Sequence, residues 1–509
     1  MGMQIEQNNG KIAKNSVFLY LRLAIVMIVN LYTTRVVLEV LGILDYGVYN
    51  VVCGFVSMFG VLNTSMSDGI QRFYNYELGK SGEQGLNNVY NTSVYIQSAL
   101  AVVLVLLLET IGLWYLNAKM DVPADRIVAA NYVFQFSIIS LVFVILQVPY
   151  RAAILAYERM DFYAVVSVID VFIKLLVVII IPYLRGDSLI TYGLLLALVG
   201  VLNFVFYYGY CKRKFIHIKF CKIFDKHLFK TMFSFSGWNL FGTFAYMVKG
   251  QGINILLNAF FGAIVNAANG IATQVLVAIQ LFTTNLTLAF KPQITQSYAK
   301  GDYIRVESLM FSMSKISFLL VSILFLPIMI DVEYILKLWL GANVPTYTAI
   351  FTRLVIITMM ISILNTPITQ VIHATGKMRK YQLITSLIIC SILPISYLGL
   401  KLGLAAEFVF YIGIVITIIN QIVSVWILST IFSYNVFMYV RKVVFFCILI
   451  IPIPLFASIC ILNHFSESII RFIIIFIASA ILMCANSIAL LSRTEKNMLY
   501  QMVNKVLKR

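Results

Sequence analysis

Residues 16–80 and 236–300 run in parallel without a gap: Ser16 matches Ser236, Gly42 matches Gly262 and Lys80 matches Lys300. Each copy reads as a long apolar helix, a short glycine-containing break, and a second long helix ending in a polar loop. Two such copies in one chain predict two lobes of like design, since each copy has the same faces to bury.

The medium in which those faces are buried follows from composition. Of 509 residues, 61% are hydrophobic and 12% charged, with a mean hydropathy of +0.92. Soluble domains are about half apolar and a quarter charged, and no single aqueous core grows to this size. The chain is therefore expected to be an all-α polytopic membrane protein. After the polar start Met1–Lys14 the apolar run exceeds twenty residues and lacks an A-x-A site, so no cleavable signal peptide is expected.

A span needs about 20 mainly apolar residues. Fourteen are predicted, at about 15–40, 47–70, 88–116, 127–150, 162–184, 188–210, 236–260, 264–290, 306–330, 346–373, 381–400, 404–430, 443–462 and 472–491. With alternate loops on opposite sides, the side holding both termini collects 26 Lys and Arg, and the other collects six: Lys119, Arg126, Arg185, Lys337, Lys401 and Arg471. That is the positive-inside bias, and it puts both termini in the cytoplasm. The formal charge of +17 is thereby explained by topology and leaflet attraction, without nucleic acid.

The organisation expected is a six-helix lobe over 1–210, a cytoplasmic amphipathic linker over 211–235 and a second six-helix lobe over 236–430. Two additional spans and a basic tail fill 431–509. The linker alternates lysine with Phe, Ile and Leu, the pattern of an interfacial stretch. Because six is even, the lobes form a parallel repeat about an axis along the membrane normal. Such duplicated membrane units enclose a central cavity in many carriers, so a carrier leads over a membrane-bound enzyme.

Several motifs carry no chemistry. Gly79-Lys80-Ser81 suggests a phosphate loop, but the first glycine would have to stand where Tyr74 is, and the loop follows a helix. No ATP, cofactor or metal is implied. The seven cysteines include no C-x-x-C pair, and the four histidines lack ligand spacing.

Charges inside spans carry more weight, since each costs on the order of 3 kcal/mol in hydrocarbon. Six basic residues fall there: Arg22, Arg35, Lys174, Lys249, Lys315 and Arg353. Arg35 stands four residues before Glu39 and can pair locally, and Lys315 can snorkel. Arg22 lies roughly 10 Å from the cytoplasmic end at the helical rise, where snorkelling and cavity lining are both open. Lys174 and Lys249 are at mid-span. Tyr163, Ser167, Asp170 and Lys174 follow steps of four, three and four, and so share one helix face. Asn239, Thr243, Tyr246, Gly250 and Asn254 form a second stripe, with Lys249 at its edge. Lys249-Gly250-Gln251-Gly252 places two glycines at mid-membrane, where the helix can bend or expose backbone to a cavity. The alternative is an ion pair that merely fastens helices. Polar residues at depth that are more cationic than acidic favour an anionic cargo, and phosphate or pyrophosphate suits Lys and Arg donors.

The strings RVVLEVLGILDYGVYNVVCGF (35–55) and SMSDGIQRFYNYELGK (65–80) resemble the amino-terminal signature of bacterial polysaccharide flippases. NAANGIATQV (266–275) and AFKPQITQSYAKGD (289–302) resemble the matching motif of their second lobe. These flippases are the O-antigen and capsule-unit exporters of the multidrug/oligosaccharidyl-lipid/polysaccharide superfamily. The resemblance covers most of residues 10–430. It implies a V-shaped, MATE-like fold in the bacterial inner membrane that opens alternately to each side. It also implies a cargo of undecaprenyl-pyrophosphate-linked oligosaccharide, moved from the cytoplasmic to the periplasmic leaflet. By position in the first and seventh spans, Arg22 and Lys249 are the implied cargo contacts. Lys174 and Arg353 join them by depth, and Asn239 and Gln251 are candidates from the polar stripe and the Lys249-Gly250-Gln251-Gly252 motif of the seventh span. Asp170, Asp68 and Glu39 are candidates for coupling to H⁺ or Na⁺.

Other readings stay open at this stage: a peptidoglycan-precursor flippase, a cation-coupled multidrug exporter, a membrane glycosyltransferase or polymerase, and a non-transporting assembly partner. An enzyme of that kind should carry a large catalytic loop, whereas the longest loops here are about 25 residues and basic.

Overall fold

The computed structural model describes residues 2–82, 85–118, 123–215, 220–221, 224–341 and 344–490. The side chains of residues 2–14 and of Leu31, Thr34, Ile43, Val51, Ser57, Val61, Leu62 and Ala263 are outside the description. So are Lys119, linker residues Lys219 and Lys222, and the basic tail from Arg493.

Every regular element among the described residues is helical. Among the described residues eleven helices are long and apolar enough to cross a membrane, and the bent pair Thr348–Ser362 and Asn365–Thr375, angled by 41°, adds a twelfth. The other two expected spans, 47–70 and 236–260, are helical as well. They fall outside that count because the first is cut at Phe59 and the second carries Asn239, Thr243, Lys249, Gln251 and Asn254. Large apolar side chains stand exposed along the spans, among them Ile28, Leu106, Leu176, Ile255 and Ile422. In water such a surface would be a liability, but in hydrocarbon it is the matching solvent.

The repeat survives as backbone geometry. Gly42 has φ 76° and ψ 170°, and Gly262 has φ 77° and ψ −172°. This region belongs essentially to glycine, since a Cβ crowds the backbone there. Each glycine turns the chain between two helices that would otherwise be continuous.

The chain divides into two compact units, Asn15–Leu240 and a second made of Met1–Lys14 with Phe241–Arg509. The boundary falls inside the long helix Lys226–Ala299. In the first unit, Val52, Leu104, Leu108, Val133, Phe134 and Ile138 form a buried core between helices. One end is tied by Arg126, which donates to Asp45 (Nε–Oδ1 2.6 Å) and to Asp187 (Nη1–Oδ2 2.6 Å). Asp187 also caps the helix Ser188–Lys214 by accepting from the amides of Leu189 and Ile190 at 2.9 and 3.1 Å.

In the second unit, Leu257, Ala268, Ala272, Phe351 and Val409 form the corresponding core. Its terminal helix Ile469–Leu490 is fastened by Arg471, which donates to both oxygens of Asp331 at 3.0 and 2.5 Å. Both side chains are buried, at 7% and 3% exposed. The break at residues 363–364 frees backbone carbonyls. The Tyr439 hydroxyl donates to that of Leu364 at 3.4 Å, so the penultimate span helps satisfy the broken one.

Candidate functional site

Four helices of the Asn15–Leu240 unit surround a polar cavity of about 270 Å³. Each contributes residues at helical spacing. Arg22, Val26 and Asn30 come from the first helix, Gln147 and Arg151 from the region of the short helix Val148–Ala156, and Asn203 and Tyr207 from Ser188–Lys214. Tyr163, Ser167, Asp170 and Lys174 come from Met160–Ile180, the stripe expected from its spacing.

The carboxylate is fully engaged. Lys174 Nζ donates to Asp170 Oδ2 at 2.8 Å, and Asn203 Nδ2 donates to Oδ1 at 2.6 Å. The Tyr163 ring holds the other two cations: the Arg22 guanidinium stands 4.7 Å from its centroid and that of Arg151 5.7 Å. Such cation–π contacts contribute about 0.5–2 kcal/mol each, more where water is excluded. Two guanidiniums thus stand within 6 Å of one aromatic ring. The Arg151 Nε is buried with no hydrogen-bond partner among the described residues. Asp68 is among the charges acting on Arg151, though it does not line the cavity. The described lining carries three cations, Arg22, Arg151 and Lys174, and one carboxylate, Asp170.

Arg22, Asp170 and Lys174 are therefore brought together in the lining of this cavity. Asn239 is buried elsewhere in the same unit, with Nδ2 3.4 Å from the Ser65 carbonyl. Glu39 is exposed and accepts from Arg35 Nε at 2.9 Å, the local pair expected. Lys249 and Gln251 belong to the second unit, where Lys249 is half-buried and makes no ion pair among the described residues. Arg353, also in that unit, is occupied by Glu333 and the Met329 carbonyl, each at 3.3 Å.

Arg151 is the residue that spacing alone misses. It stands just past an apolar run, after Pro149, and reads as a loop charge. The structure restarts the helix at Val148, because proline is tolerated in a first turn, and carries Arg151 into the cavity. Two i, i+4 polar pairs in otherwise apolar sequence, Gln147/Arg151 and Asn203/Tyr207, were the available signal.

No family model matches the chain, and no curated protein matches it either. Solved structures do. A MATE transporter in its bent conformation superposes with a TM-score of 0.71 over 84% of this chain and 98% of its own, at 14% identity. An outward-facing multidrug-resistance MATE family transporter of the MOP superfamily gives 0.69 over 84% and 98%, at 14% identity. A MOP superfamily transporter from Pyrococcus furiosus, whose reversed pocket polarity was taken to suggest a different function, gives 0.66 over 82% and 96%, at 13% identity. The chain has the fold of MATE-like transporters, a multi-pass all-helical membrane architecture.

Proposed function

We propose that the protein is a flippase. It moves undecaprenyl-pyrophosphate-linked oligosaccharide from the cytoplasmic to the periplasmic leaflet of the bacterial inner membrane by alternating access. The observation that carries this reading is the cationic cavity, in which Arg22 and Arg151 contact Tyr163 while Lys174 and Asn203 occupy Asp170, the only carboxylate among its described lining residues. Guanidinium forks match phosphate oxygens, and a diphosphate offers enough acceptors for both. No covalent chemistry is required of the protein, which is read as a transporter and not an enzyme. It lowers the barrier to carrying a polar head through hydrocarbon while the polyprenyl tail stays in lipid.

The multidrug-exporter reading has the same fold behind it. A cavity meant for organic cations should leave a carboxylate free to receive them, and Asp170 is already held by two donors. The MOP superfamily neighbour described by its reversed pocket polarity gives a precedent for one fold carrying pockets of opposite sign. Coupling to H⁺ or Na⁺ would act at Asp170, since releasing Lys174 changes the charge offered to the cargo.

The test is binding and delivery with defined cargoes. Purified protein should bind polyprenyl-pyrophosphate oligosaccharide, be competed by polyprenyl pyrophosphate, and ignore tetraphenylphosphonium. Proteoliposomes should flip the oligosaccharide lipid, and a peptidoglycan-precursor lipid in a parallel arm separates the two flippase readings. Uptake of organic cations without any movement of the anionic lipid would overturn the proposal.

A further inference from the structure

The chain between the helix Ser188–Lys214 and the helix beginning at Lys226 does more than connect them. Where it is described, it is pinned to the helix Leu86–Leu107: the fully buried Asn91 accepts the Cys221 amide through Oδ1 at 2.8 Å. Asn87 Nδ2 lies 3.6 Å from Cys221 Sγ. Tyr95 of the same helix meets Phe220 and Phe224 with centroids at 6.1 and 5.6 Å. Phe224 meets Phe229 at 5.3 Å, and Phe229 stacks on Phe233 at 6.1 Å. The result is a continuous row of rings, yet Phe220, Phe224 and Phe233 are 54%, 52% and 54% exposed.

Charge accompanies the rings. Lys212, Arg213 and Lys214 close the preceding helix, and Lys226 and Lys230 open the next, all exposed. The acid in this stretch, Asp225, spends an oxygen capping the Leu228 amide at 2.9 Å. Lys226 and Lys230 stand on the helix that carries Phe229 and Phe233, and the three other exposed cations close the preceding helix. A row of half-exposed phenyl rings with cations so placed matches one surface: apolar rings at the acyl boundary and cationic groups among anionic headgroups.

We propose that this strip, residues 212–214 and 224–233 with Tyr95, docks on anionic lipid of the cytoplasmic leaflet, the side to which the positive-charge bias assigns it. The partner is a phospholipid with a net negative headgroup, chosen by charge complementarity. Each cation near such a surface raises affinity about fivefold.

The proposal is tested on the full chain in bilayers, without reference to any cargo, so it stands or falls independently of the transport reading. Phe224→Trp adds a reporter, read as the difference from wild type, which already has four tryptophans. Brominated phosphatidylglycerol in a phosphatidylcholine bilayer should quench it much more strongly than the same fraction of brominated phosphatidylcholine. Lys226→Gln with Lys230→Gln should erase most of that preference while general quenching remains. Equal quenching by both headgroups overturns the proposal. So does an absence of quenching, which would put the strip against protein, and so does loss of the preference in inorganic phosphate, which would make free phosphate the ligand. If Phe224→Trp fails to insert, Phe233→Trp at the other end of the row reads the same surface.

Discussion

The two units begin from one design and differ in nearly every polar position that matters. Residue 22 is arginine in the first copy, and its counterpart in the second is Gly242, where any side chain would collide with the amide of Gln382. Lys249 answers to Val29, Asn239 to Leu19, Gln251 to Leu31 and Asp68 to Leu288. The corner glycines, by contrast, keep both identity and conformation. The first unit encloses a cationic cavity. The second encloses a larger one, about 750 Å³, walled by Phe318, Met360, Ile418, Val440 and Ile448, with Gln421 and Tyr439 among its few polar neighbours. Symmetric positions thus set the backbone, and asymmetric positions hold the chemistry.

The largest expected effect concerns how each unit is fastened. Arg471→Met leaves the buried Asp331 without its partner and should cost about 3–5 kcal/mol. Arg126→Met strands two carboxylates that are partly exposed and should cost about 1–2 kcal/mol. Unfolding midpoints of the full chain in detergent, with limited proteolysis to locate the weakened unit, would measure both. Equal losses would break the contrast between a buried clamp and a solvated one.

The cavities make the next comparison. Arg151→Ala should lower affinity for the pyrophosphate lipid about 10- to 100-fold, the value of one charge-assisted contact. Arg151→Lys should recover part of it, because charge remains while the fork is lost. Lys249→Ala, in the other unit, should lose about tenfold or less. A larger loss at Lys249 would move cargo recognition to the second unit and overturn the ranking.

How much of this could be read beforehand follows from the same residues. The repeat, the glycine breaks and the stripe Tyr163–Ser167–Asp170–Lys174 were legible because each is a local spacing rule. So was the Arg35–Glu39 pair. Arg151 was not, since its role depends on a helix restarting after Pro149 and on three other helices arriving around it. The same holds for Asn203, whose partner Asp170 lies 33 residues away in sequence. Arg353 illustrates a different limit: its depth in a span is legible, but its pairing with Glu333, 20 residues away on a neighbouring helix, is not.

The corner glycines give a smaller and symmetric prediction. A Cβ would meet nothing within 4 Å at Gly42 or Gly262, so the cost of alanine there is purely conformational. Gly42→Ala and Gly262→Ala should each destabilise by about 1–3 kcal/mol, and by similar amounts. Markedly unequal shifts in unfolding midpoint would mean that one corner has been recruited for something beyond turning the chain.

The smallest effect tests the solvated clamp by pH. Burial pushes the Asp187 carboxyl up, but the Ile190 amide and the Arg126 guanidinium outweigh it and hold the group below its ordinary value. A carboxyl with a lowered folded pKa adds stability above its unfolded pKa, about 3.9, and that stability drains away as pH falls through the folded value. Between about pH 7 and pH 5 the Asp187 contribution should therefore be constant, and between about pH 4 and pH 3 it should shrink, by ~1 kcal/mol at most for a pair this exposed. Asp187→Asn is the right comparison, because asparagine still caps the helix Ser188–Lys214 while carrying no charge. The gap in unfolding midpoint between wild type and Asp187→Asn should close on acidification. A gap that stays constant down to about pH 3 would show that Asp187 acts as a cap alone, and that Arg126 draws its hold on this unit from Asp45.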